Sequence, residues 1–410
     1  MSLSYSAALD FLFPRVTTIK FGLETTRALL EEVGQPHQLF PIVHIGGTNG
    51  KGSVSTLVAS ALTAAGWKVG LYTSPHLVSF RERIVVDGVQ ISEAAVAMWT
   101  ERLMPLITRR HATFFEATTA IAFADFAARG VEIAVAEVGL GGRLDSTNVV
   151  RPAVSGVTRI ARDHMKYLGN TLEAIAGEKA GIAKPGAPFV IGETDPALVG
   201  VLRAAAHAAI KAQGGGRADV RVLPADYRWS GPLGLNGPHQ RRNAAVAHGI
   251  LMALPERYRP RRPEIEAGFG AARVPGRFDR RGRWLFDVAH NPDGMAALVA
   301  AIEEANLPRP LHALVSILGD KEWPEMLVRL DEVVDRGVLT IAPSAAGRRW
   351  DLAWLRRWLK SPNRPPARGE WSLVPEFGRA LAEVQEGAGT ILVTGSFHTV
   401  GDVMQAVGLV

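Results

Sequence analysis

The sequence IVHIGGTNGKGS occupies residues 42–53 and decides the fold. Its first four residues form a short, mostly β-branched run that predicts a buried strand, and residues 54–65 carry a helical pattern that stops at Gly66. Four glycines lie between these two elements, around a threonine, an asparagine and a lysine. This order predicts a phosphate-binding loop, because backbone N–H groups and the helix N-terminus then face the phosphate.

The spacing within this loop departs from the usual phosphate-loop pattern. Gly52 separates Lys51 from Ser53, whereas the hydroxyl residue normally follows the lysine directly. The alternative is a glycine-rich turn with an exposed lysine. Four glycines are costly in a simple connection, so nucleotide binding is the favoured interpretation.

Outward from this loop, short β-branched runs alternate with longer helical patterns, which is typical of parallel sheets with crossover helices. Strands are predicted at 42–45, 68–73, 131–137, 153–159, 188–191, 284–288, 311–317, 338–342 and 390–394. Helices are predicted at 54–65, 117–128, 172–182, 240–253 and 294–304. A segment interrupted by prolines, at 258–283, separates two sets of strands.

We therefore predict an α/β protein with two domains. Residues 1–275 should form a P-loop-type, mostly parallel sheet flanked by helices. Residues 276–410 should form a smaller, Rossmann-like α/β domain.

Composition excludes several classes of protein. Of the 410 residues, 47% are hydrophobic and 21% are charged, which is the balance of a globular chain rather than a disordered one. Cysteine is absent, which excludes disulfides, thiolate metal sites and a cysteine nucleophile. No apolar stretch approaches the roughly 18 residues of a membrane span, and the first residues lack a signal-peptide pattern. We expect a cytoplasmic protein without membrane contact.

The net charge of +6 is concentrated in one segment. Residues 256–283 contain nine arginines and four acids, an excess of five. Proteins that bind nucleic acids more often interleave basic residues with aromatic ones, and this segment has only Tyr258, Phe269 and Phe278. We therefore expect small anionic substrates and no nucleic acid.

Polar residues follow several predicted strands, where ligands of open parallel sheets bind. Glu137 ends an apolar strand, and an acid there can ligate Mg2+. Ser74 and His76 follow a second strand, and His164 follows a third. The alternatives are a solvated strand-end acid at 137, an ordinary loop histidine at 164 and, for Lys179, a surface lysine on a helix.

Nine motifs that run the length of the chain resemble the folylpolyglutamate synthases, which are often bifunctional as dihydrofolate synthases and belong to the Mur ligase superfamily. They are GGTNGKGS (46–53), SPHLVSFRERI (74–84), FFEATT (114–119), EVGLGGRLDSTN (137–148), DHMKYLGNTLEAIAGEKAGI (163–182), GPHQRRNA (237–244), PGRFD (275–279), DVAHNP (287–292) and TGSFHTVGDV (394–403). The resemblance implies an ATP- and Mg2+-dependent ligase that adds L-glutamate to the carboxylate of a folate, of dihydropteroate or of both, through an acyl phosphate.

The resemblance also implies roles for individual positions. Contacts with ATP are implied for Asn49, Gly50, Lys51, Gly52, Ser53, Asn243, Arg277 and Asp287. Mg2+ ligands are implied at Ser74, Glu137 and His164. Contacts with the pterin substrate are implied for Thr18, Ile19, Lys20, Phe21, Glu116, Leu144, Asp145 and Ser146.

The remaining implied roles concern catalysis and the amino-acid substrate. Lys51, His164 and Lys179 are the predicted catalytic residues, and Lys179 is the position that the family carbamylates. His290 and Ser396 are predicted to line the glutamate pocket. The expected cofactors are ATP and Mg2+, with K+ as an additional candidate, and the family resemblance implies a monomer.

One departure and two alternative functions complete the predictions. Residues 158–162 are TRIAR, where relatives are mostly apolar or small, so two arginines are expected near His164. A Mur-type ligase acting on a UDP-muramoyl peptide is the nearest alternative, but it would carry an additional N-terminal domain, and only about 40 residues precede Ile42. A GTPase switch would need a guanine-binding N-K-x-D signature, which the sequence lacks.

Overall fold

The computed structural model describes residues 3–18, 20–361 and 368–409, so the predicted substrate contact Ile19 lies outside the described residues. The chain forms two compact units. The larger unit combines Met1–Gly234 with Arg242–Ala272, and the smaller unit combines Leu235–Arg241 with Arg273–Val410. Each unit contains its own sheet with helices, which confirms the predicted α/β class.

The sheet of the larger unit has eight strands within the described residues, in the order β4-β3-β2-β5-β1-β6-β7-β8. The strands are Ile42–Gly46 (β1), Val69–Tyr72 (β2), Ile84–Val86 (β3), Val89–Gln90 (β4), Ile133–Glu137 (β5), Val154–Val157 (β6), Phe189–Ile191 (β7) and Val220–Val222 (β8). In this spatial order, the neighbours from β2 through β5, β1, β6 and β7 to β8 pair in parallel. The pairs β2 with β3 and β3 with β4 are antiparallel. Strand β1 lies between β5 and β6, with Ile45 opposite Glu137.

The helices that precede Ala272 are interspersed along the chain with the strands of this sheet. They are Tyr5–Leu12 (α1), Glu24–Glu32 (α2), Lys51–Ala64 (α3), Glu93–Arg110 (α4), Phe114–Ala128 (α5), Met165–Leu168 (α6), Leu172–Ala180 (α7), Pro196–Ala212 (α8), Pro238–Ala253 (α9) and Arg262–Ala271 (α10). Helix α5 begins three residues before its prediction, because Thr113 and Glu116 form a capping box that fixes its first turn. The hydrophobic core includes the fully buried Phe123 and Phe189.

The smaller unit has a six-stranded sheet, counted over the described part of the chain, in the order β13-β12-β11-β14-β10-β9. The strands are Asp279–Arg281 (β9), Trp284–Phe286 (β10), Leu311–Val315 (β11), Arg336–Leu339 (β12), Glu370–Leu373 (β13) and Thr390–Thr394 (β14). The helices are Pro292–Glu304 (α11), Trp323–Asp331 (α12), Leu352–Leu359 (α13), Phe377–Gln385 (α14) and Phe397–Ala406 (α15). Strand β9 pairs antiparallel with β10, and the other strand pairs among the described residues of this sheet are parallel.

Short 3-10 helices lie at Phe13–Thr17, Pro36–Gln38, Phe80–Arg83, Ser146–Val149, Glu256–Tyr258 and Pro343–Arg348. Among the helices of the described residues, none has both the length and the apolar character that crossing a membrane requires.

Candidate active site

The glycine loop joins the end of β1 directly to the start of α3, as the sequence predicts. Gly50 caps the helix with φ of 90°, a left-handed conformation that favours glycine. A Cβ at Gly50 would lie 2.5 Å from Oδ1 of Asn243, so the loop and the predicted ATP contact Asn243 are in close contact. A Cβ at Gly47, whose φ is 133°, would collide with the hydroxyl of Thr158. Glycine is therefore required at both positions by backbone conformation and by space.

The segment that follows β6 braces this loop. The N–H of Thr48 donates to the carbonyl oxygen of Arg159 at 2.8 Å, and the hydroxyl of Thr158 donates to the carbonyl oxygen of Asn49 at 2.8 Å. The N–H of Ala161 donates to the hydroxyl of Thr48 at 3.1 Å. Both arginines of this unusual segment, Arg159 and Arg162, are exposed.

Two lysines lie at the loop. Lys51 Nζ donates to the carbonyl oxygen of Thr48 at 3.1 Å, and Lys179 Nζ donates to that of Gly47 at 2.8 Å. Lys179 is only 5% exposed, and this burial, together with the positive charge of Lys51, lowers the pKa of Lys179 to about 7. The amine of Lys179 is therefore largely uncharged above neutral pH, which fits an amine that can react with CO2.

Glu137 lies beside the loop at the end of β5, as predicted. Its Oε2 accepts a hydrogen bond from the N–H of Ser74 at 3.0 Å and would be 3.6 Å from a Cβ at Gly52. The structure thus brings Ser74, Glu137 and the glycine loop together. Mg2+ usually takes one or two carboxylates from the protein and completes its shell with water and substrate phosphates. One carboxylate next to Ser74 and the phosphate loop fits that ion.

His164 lies at the start of α6 with φ of 51°, and Nε2 of its exposed imidazole is 3.9 Å from the carboxylate of Asp163. Throughout the described ranges, no group of three or more His, Asp or Glu side chains is arranged to hold a metal ion. A metal role for His164 therefore stays a prediction.

The loop after β5 is organised by the buried carboxylate of Asp145. Its Oδ2 accepts hydrogen bonds from the N–H groups of Gly139 at 3.1 Å and Leu140 at 2.8 Å. Its Oδ1 accepts the N–H of Thr147 at 3.0 Å and also the hydroxyl of Thr147. Burial raises the pKa of Asp145, and these donors oppose the increase.

A buried histidine of β1 extends this network. Nε2 of His44 lies 2.8 Å from the hydroxyl of Thr147, which already donates its proton to Asp145. Nε2 of His44 must therefore be the donor. Burial lowers the pKa of His44 to about 3, so the ring stays neutral. The hydrogen-bond chain from His44 to Asp145 fixes the backbone around the predicted substrate contacts Leu144 and Ser146.

Other predicted pterin contacts are distributed over α5 and the segment before α2. Glu116 is buried and accepts the N–H of Thr113 at 2.7 Å, so one of its oxygens is used in the capping box. Thr18 is exposed, and Lys20 donates to the carbonyl oxygen of Arg110 at 3.0 Å. Phe21 is 53% exposed, with its ring centroid 6.5 Å from that of Tyr167.

In the smaller unit, the predicted ATP contacts Arg277 and Asp287 interact electrostatically. The carboxylate of Asp287 accepts the N–H groups of Phe278 and Ala289, each at 2.9 Å. Burial raises the pKa of Asp287, while the positive charge of Arg277 and the nearby His239 oppose that increase. The guanidinium of Arg277 lies 5.2 Å from the ring centroid of Phe397.

The two residues predicted for the glutamate pocket differ in their surroundings. Nδ1 of His290 lies 2.9 Å from the carbonyl oxygen of Val288, and its ring lies near Phe397. Ser396 is only 1% exposed and caps α15 by accepting the N–H of Thr399 at 3.1 Å. Its hydroxyl also donates to the carbonyl oxygen of Ser316 at 3.0 Å, so Ser396 is engaged in the fold.

Sequence reasoning did not single out four residues that the structure connects to these sites. Thr158 braces the glycine loop, and the pair His44 and Thr147 holds the loop after β5. His239 lies within a quoted motif; burial lowers its pKa, and the negative charge of Asp287 partly opposes that change. The motif pointed to the region of His239, whereas nothing in the sequence indicates which strand residue faces Thr147.

Comparison with known proteins agrees with this architecture. The family model of the Mur ligase middle domain matches residues 45–223, and that of the Mur ligase glutamate ligase domain matches residues 276–397. The dihydrofolate synthase/folylpolyglutamate synthase of Bacillus subtilis is 33% identical over 98% of this chain and 99% of its own length. The chain belongs to the folylpolyglutamate and dihydrofolate synthases. This family consists of ATP-dependent Mur-type ligases, so the resemblance seen in the motifs is confirmed.

Members of this synthase family differ in length. A relative from Haloferax volcanii, whose name joins a folylpolyglutamate synthase to a dihydropteroate synthase, is 33% identical over 98% of this chain. The chain spans about half, 50%, of the length of that relative.

Solved structures of synthases share the fold. Escherichia coli FolC in complex with DHPP and ADP gives a TM-score of 0.83 at 30% identity, covering 99% of this chain and 98% of that chain. The bifunctional synthase of Yersinia pestis, complexed with AMPPNP and a Mn ion, gives a TM-score of 0.82 at 29% identity with the same coverage.

Proposed function

We propose that this chain joins L-glutamate to the carboxylate of a pterin-bearing acceptor, a folate or dihydropteroate, with hydrolysis of ATP to ADP and phosphate. One observation carries the proposal: a glycine loop with Lys51, the buried Lys179 and Glu137 meet at the carboxyl ends of neighbouring parallel strands. This is where nucleotides bind in open α/β sheets.

The nucleotide would be held mainly by backbone and charge. The N-terminus of α3 and the loop from Asn49 to Ser53 provide N–H groups and positive potential for the phosphates, and Lys51 adds a cation. Glu137, with Ser74 and Ser53, would hold Mg2+. Bound there, Mg2+ neutralises negative charge on the triphosphate. Asn243 and, in the smaller unit, Arg277 and Asp287 are the proposed further ATP contacts.

The reaction needs activation of the acceptor carboxylate. A carboxylate oxygen of the acceptor attacks the γ-phosphorus of ATP, and the bond from that phosphorus to the β–γ bridging oxygen breaks. The products of this step are ADP and the acyl phosphate of the acceptor. The unprotonated amine of glutamate then attacks the acyl carbon, the bond from that carbon to the phosphate oxygen breaks, and inorganic phosphate leaves with the proton that the amine gives up. The side chains of the chain form no covalent intermediate, so they act by positioning and charge neutralisation.

The acceptor would lie against the loop after β5. The Asp145 network holds Leu144 and Ser146 in place, and Thr18, Lys20, Phe21 and Glu116 are the further proposed contacts. Lys179 supports carbamylation, because its lowered pKa leaves an uncharged nitrogen close to the loop. A carbamate there would be anionic and could orient a cation, Mg2+ or K+. His164 is a further proposed catalytic residue, and we place it near the phosphates of ATP. His290 and Ser396 are the proposed glutamate contacts.

An ADP-release assay tests this function. Purified chain is given ATP and Mg2+ with dihydropteroate or tetrahydrofolate, with and without L-glutamate. We expect ADP release that depends on both acceptor and L-glutamate, and whichever acceptor supports it defines the activity. D-glutamate serves as the matched control. ADP release that is independent of both substrates would instead indicate a nucleotide switch, and release that needs a UDP-muramoyl peptide would indicate the Mur-type alternative.

Two further properties follow from the proposal. We propose a monomeric enzyme located in the cytoplasm. Light scattering of the purified chain at several concentrations checks the first property, because a dimer would have twice the mass of the 44.1 kDa chain.

A further inference from the structure

The proposed ligase uses Arg277 of the arginine-rich segment, residues 256–283, but leaves the first part of that segment without a role. The first part of that segment lines a cavity of about 630 Å3 in the larger unit. The other walls come from residues 227–230 and from α9 and α10. Known pockets for small molecules occupy about 300 to 1,000 Å3. We call this space the Trp229 cavity.

Aromatic and aliphatic side chains form the walls of the Trp229 cavity. Trp229 is 5% exposed, and its ring centroid lies 5.3 Å from that of His248 and 5.0 Å from that of Phe269. Met252 and Ile265 add aliphatic surface. Flat, rigid walls of this kind favour a flat ring, because stacking loses little side-chain entropy.

The polar groups of the cavity are mainly donors. The hydroxyl of Tyr227 lies 3.0 Å from Nδ1 of His248, and Nε2 of His248 makes no hydrogen bond with any described residue. Burial lowers the pKa of His248, and the positive charge of Arg262 lowers it further. Burial raises the pKa of Tyr227, and the same positive charge opposes that increase. Positive potential therefore reaches both groups.

Among the described residues, the charged side chains that line the cavity are three arginines and one acid, Glu256. Arg262 uses only Nε in its ion pair with Glu266, at 2.8 Å, so its two terminal nitrogens make no hydrogen bond in the described part of the chain. Arg259 gives one terminal nitrogen to the carbonyl oxygen of Leu254 at 3.1 Å. Guanidinium nitrogens of this kind bind carboxylate or phosphate oxygens.

The Trp229 cavity lies apart from the glycine loop. Asn243, which contacts Gly50, lies in helix α9 together with His248 and Met252. Asn243 precedes His248 by five residues and Met252 by nine. At a rise of about 1.5 Å per residue, these positions are about 7 to 14 Å apart along α9.

We propose that the Trp229 cavity is a second ligand site, which binds a flat heteroaromatic anion with its ring against Trp229 and His248 and its charged oxygens on Arg262 and Arg259. Two small molecules have this chemistry, a nucleoside phosphate and a pteridine carboxylate. The proposal does not depend on ligase activity.

Titration calorimetry with ADP and, separately, with folic acid tests the second site. The wild type is compared with Arg262→Glu and with Arg203→Glu, which places the same charge change at an exposed position of α8. Lys51→Ala weakens ADP binding at the glycine loop, so ADP binding in the cavity can be measured alone.

We expect one equivalent of ligand that survives Lys51→Ala and is weakened at least about tenfold by Arg262→Glu, but not by Arg203→Glu. Loss of ADP binding identifies a nucleoside phosphate as the ligand, and loss of folic acid binding identifies a pteridine carboxylate. Equal affinity in both arginine variants, for both ligands, would overturn the proposal.

Discussion

Lys179 carries a charge that is costly in the folded chain. Burial and Lys51 lower its pKa from 10.5 to about 7, whereas the unfolded chain keeps the ordinary value. Between these two pH values the unfolded state binds one more proton than the folded state. The free energy of unfolding should therefore rise with pH in this window, by about 1.4 kcal/mol per pH unit from this group alone.

The variant Lys179→Met should remove this titration. The lowered pKa corresponds to a cost of about 5 kcal/mol when the amine is charged. The lost hydrogen bond to Gly47 offsets about 1 kcal/mol of that gain. We therefore expect Lys179→Met to be more stable than the wild type at pH 6, by up to about 4 kcal/mol. The advantage should shrink by about 2 kcal/mol between pH 7 and pH 9, while ligase turnover is lost.

Urea unfolding at pH 6, 7.5 and 9 in CO2-free buffer measures these differences. Lys211→Met, at an exposed position of α8, controls for the loss of one positive charge. The reasoning fails if Lys179→Met and the wild type show the same pH dependence, or if Lys211→Met shows the same change as Lys179→Met.

Three further variants test the loop, the metal site and the buried network. Gly50→Ala should lower turnover at least about a hundredfold, because its Cβ would meet Asn243; Gly66→Ala, also at φ of 90° but with open space around it, should not. Glu137→Gln should raise the Mg2+ concentration for half-maximal activity at least about tenfold, and an unchanged Mg2+ titration contradicts its metal role. Thr147→Val should raise KM for the pterin acceptor about tenfold without changing KM for ATP. Thr147→Ser keeps the hydroxyl and should therefore have the KM of the wild type. Equal rises in both KM values would argue against a role of Thr147 in positioning the acceptor.

The sequence predicts the central strands well and the outer strands poorly. Strands β1, β5 and β14 are buried on both faces, so they need continuous apolar runs that a sequence displays. The strands that were not predicted, β3, β4, β8, β9 and β13, lie at or next to sheet edges. They are short and partly polar, as in Asp279–Arg281, because one face or edge contacts water.

The candidate site shows a similar limit. Strand-end position alone predicts that Glu137 lies beside the glycine loop, because carboxyl ends of parallel strands share one edge. Residue type does not reveal whether a carboxylate or hydroxyl faces a ligand or its own backbone. Glu116 and Ser396 both cap helices in the structure, and their substrate roles stay predictions. The low pKa of Lys179 depends on burial, which only the folded chain shows.

The most direct test follows oxygen atoms from the acceptor. The acceptor carboxylate is labelled with 18O and incubated with the chain, ATP, Mg2+ and L-glutamate in unlabelled water, and the released inorganic phosphate is analysed by mass spectrometry. Transfer through an acyl phosphate predicts one 18O atom in each phosphate. Phosphate without the label, formed while the amide product accumulates, would contradict the proposed chemistry.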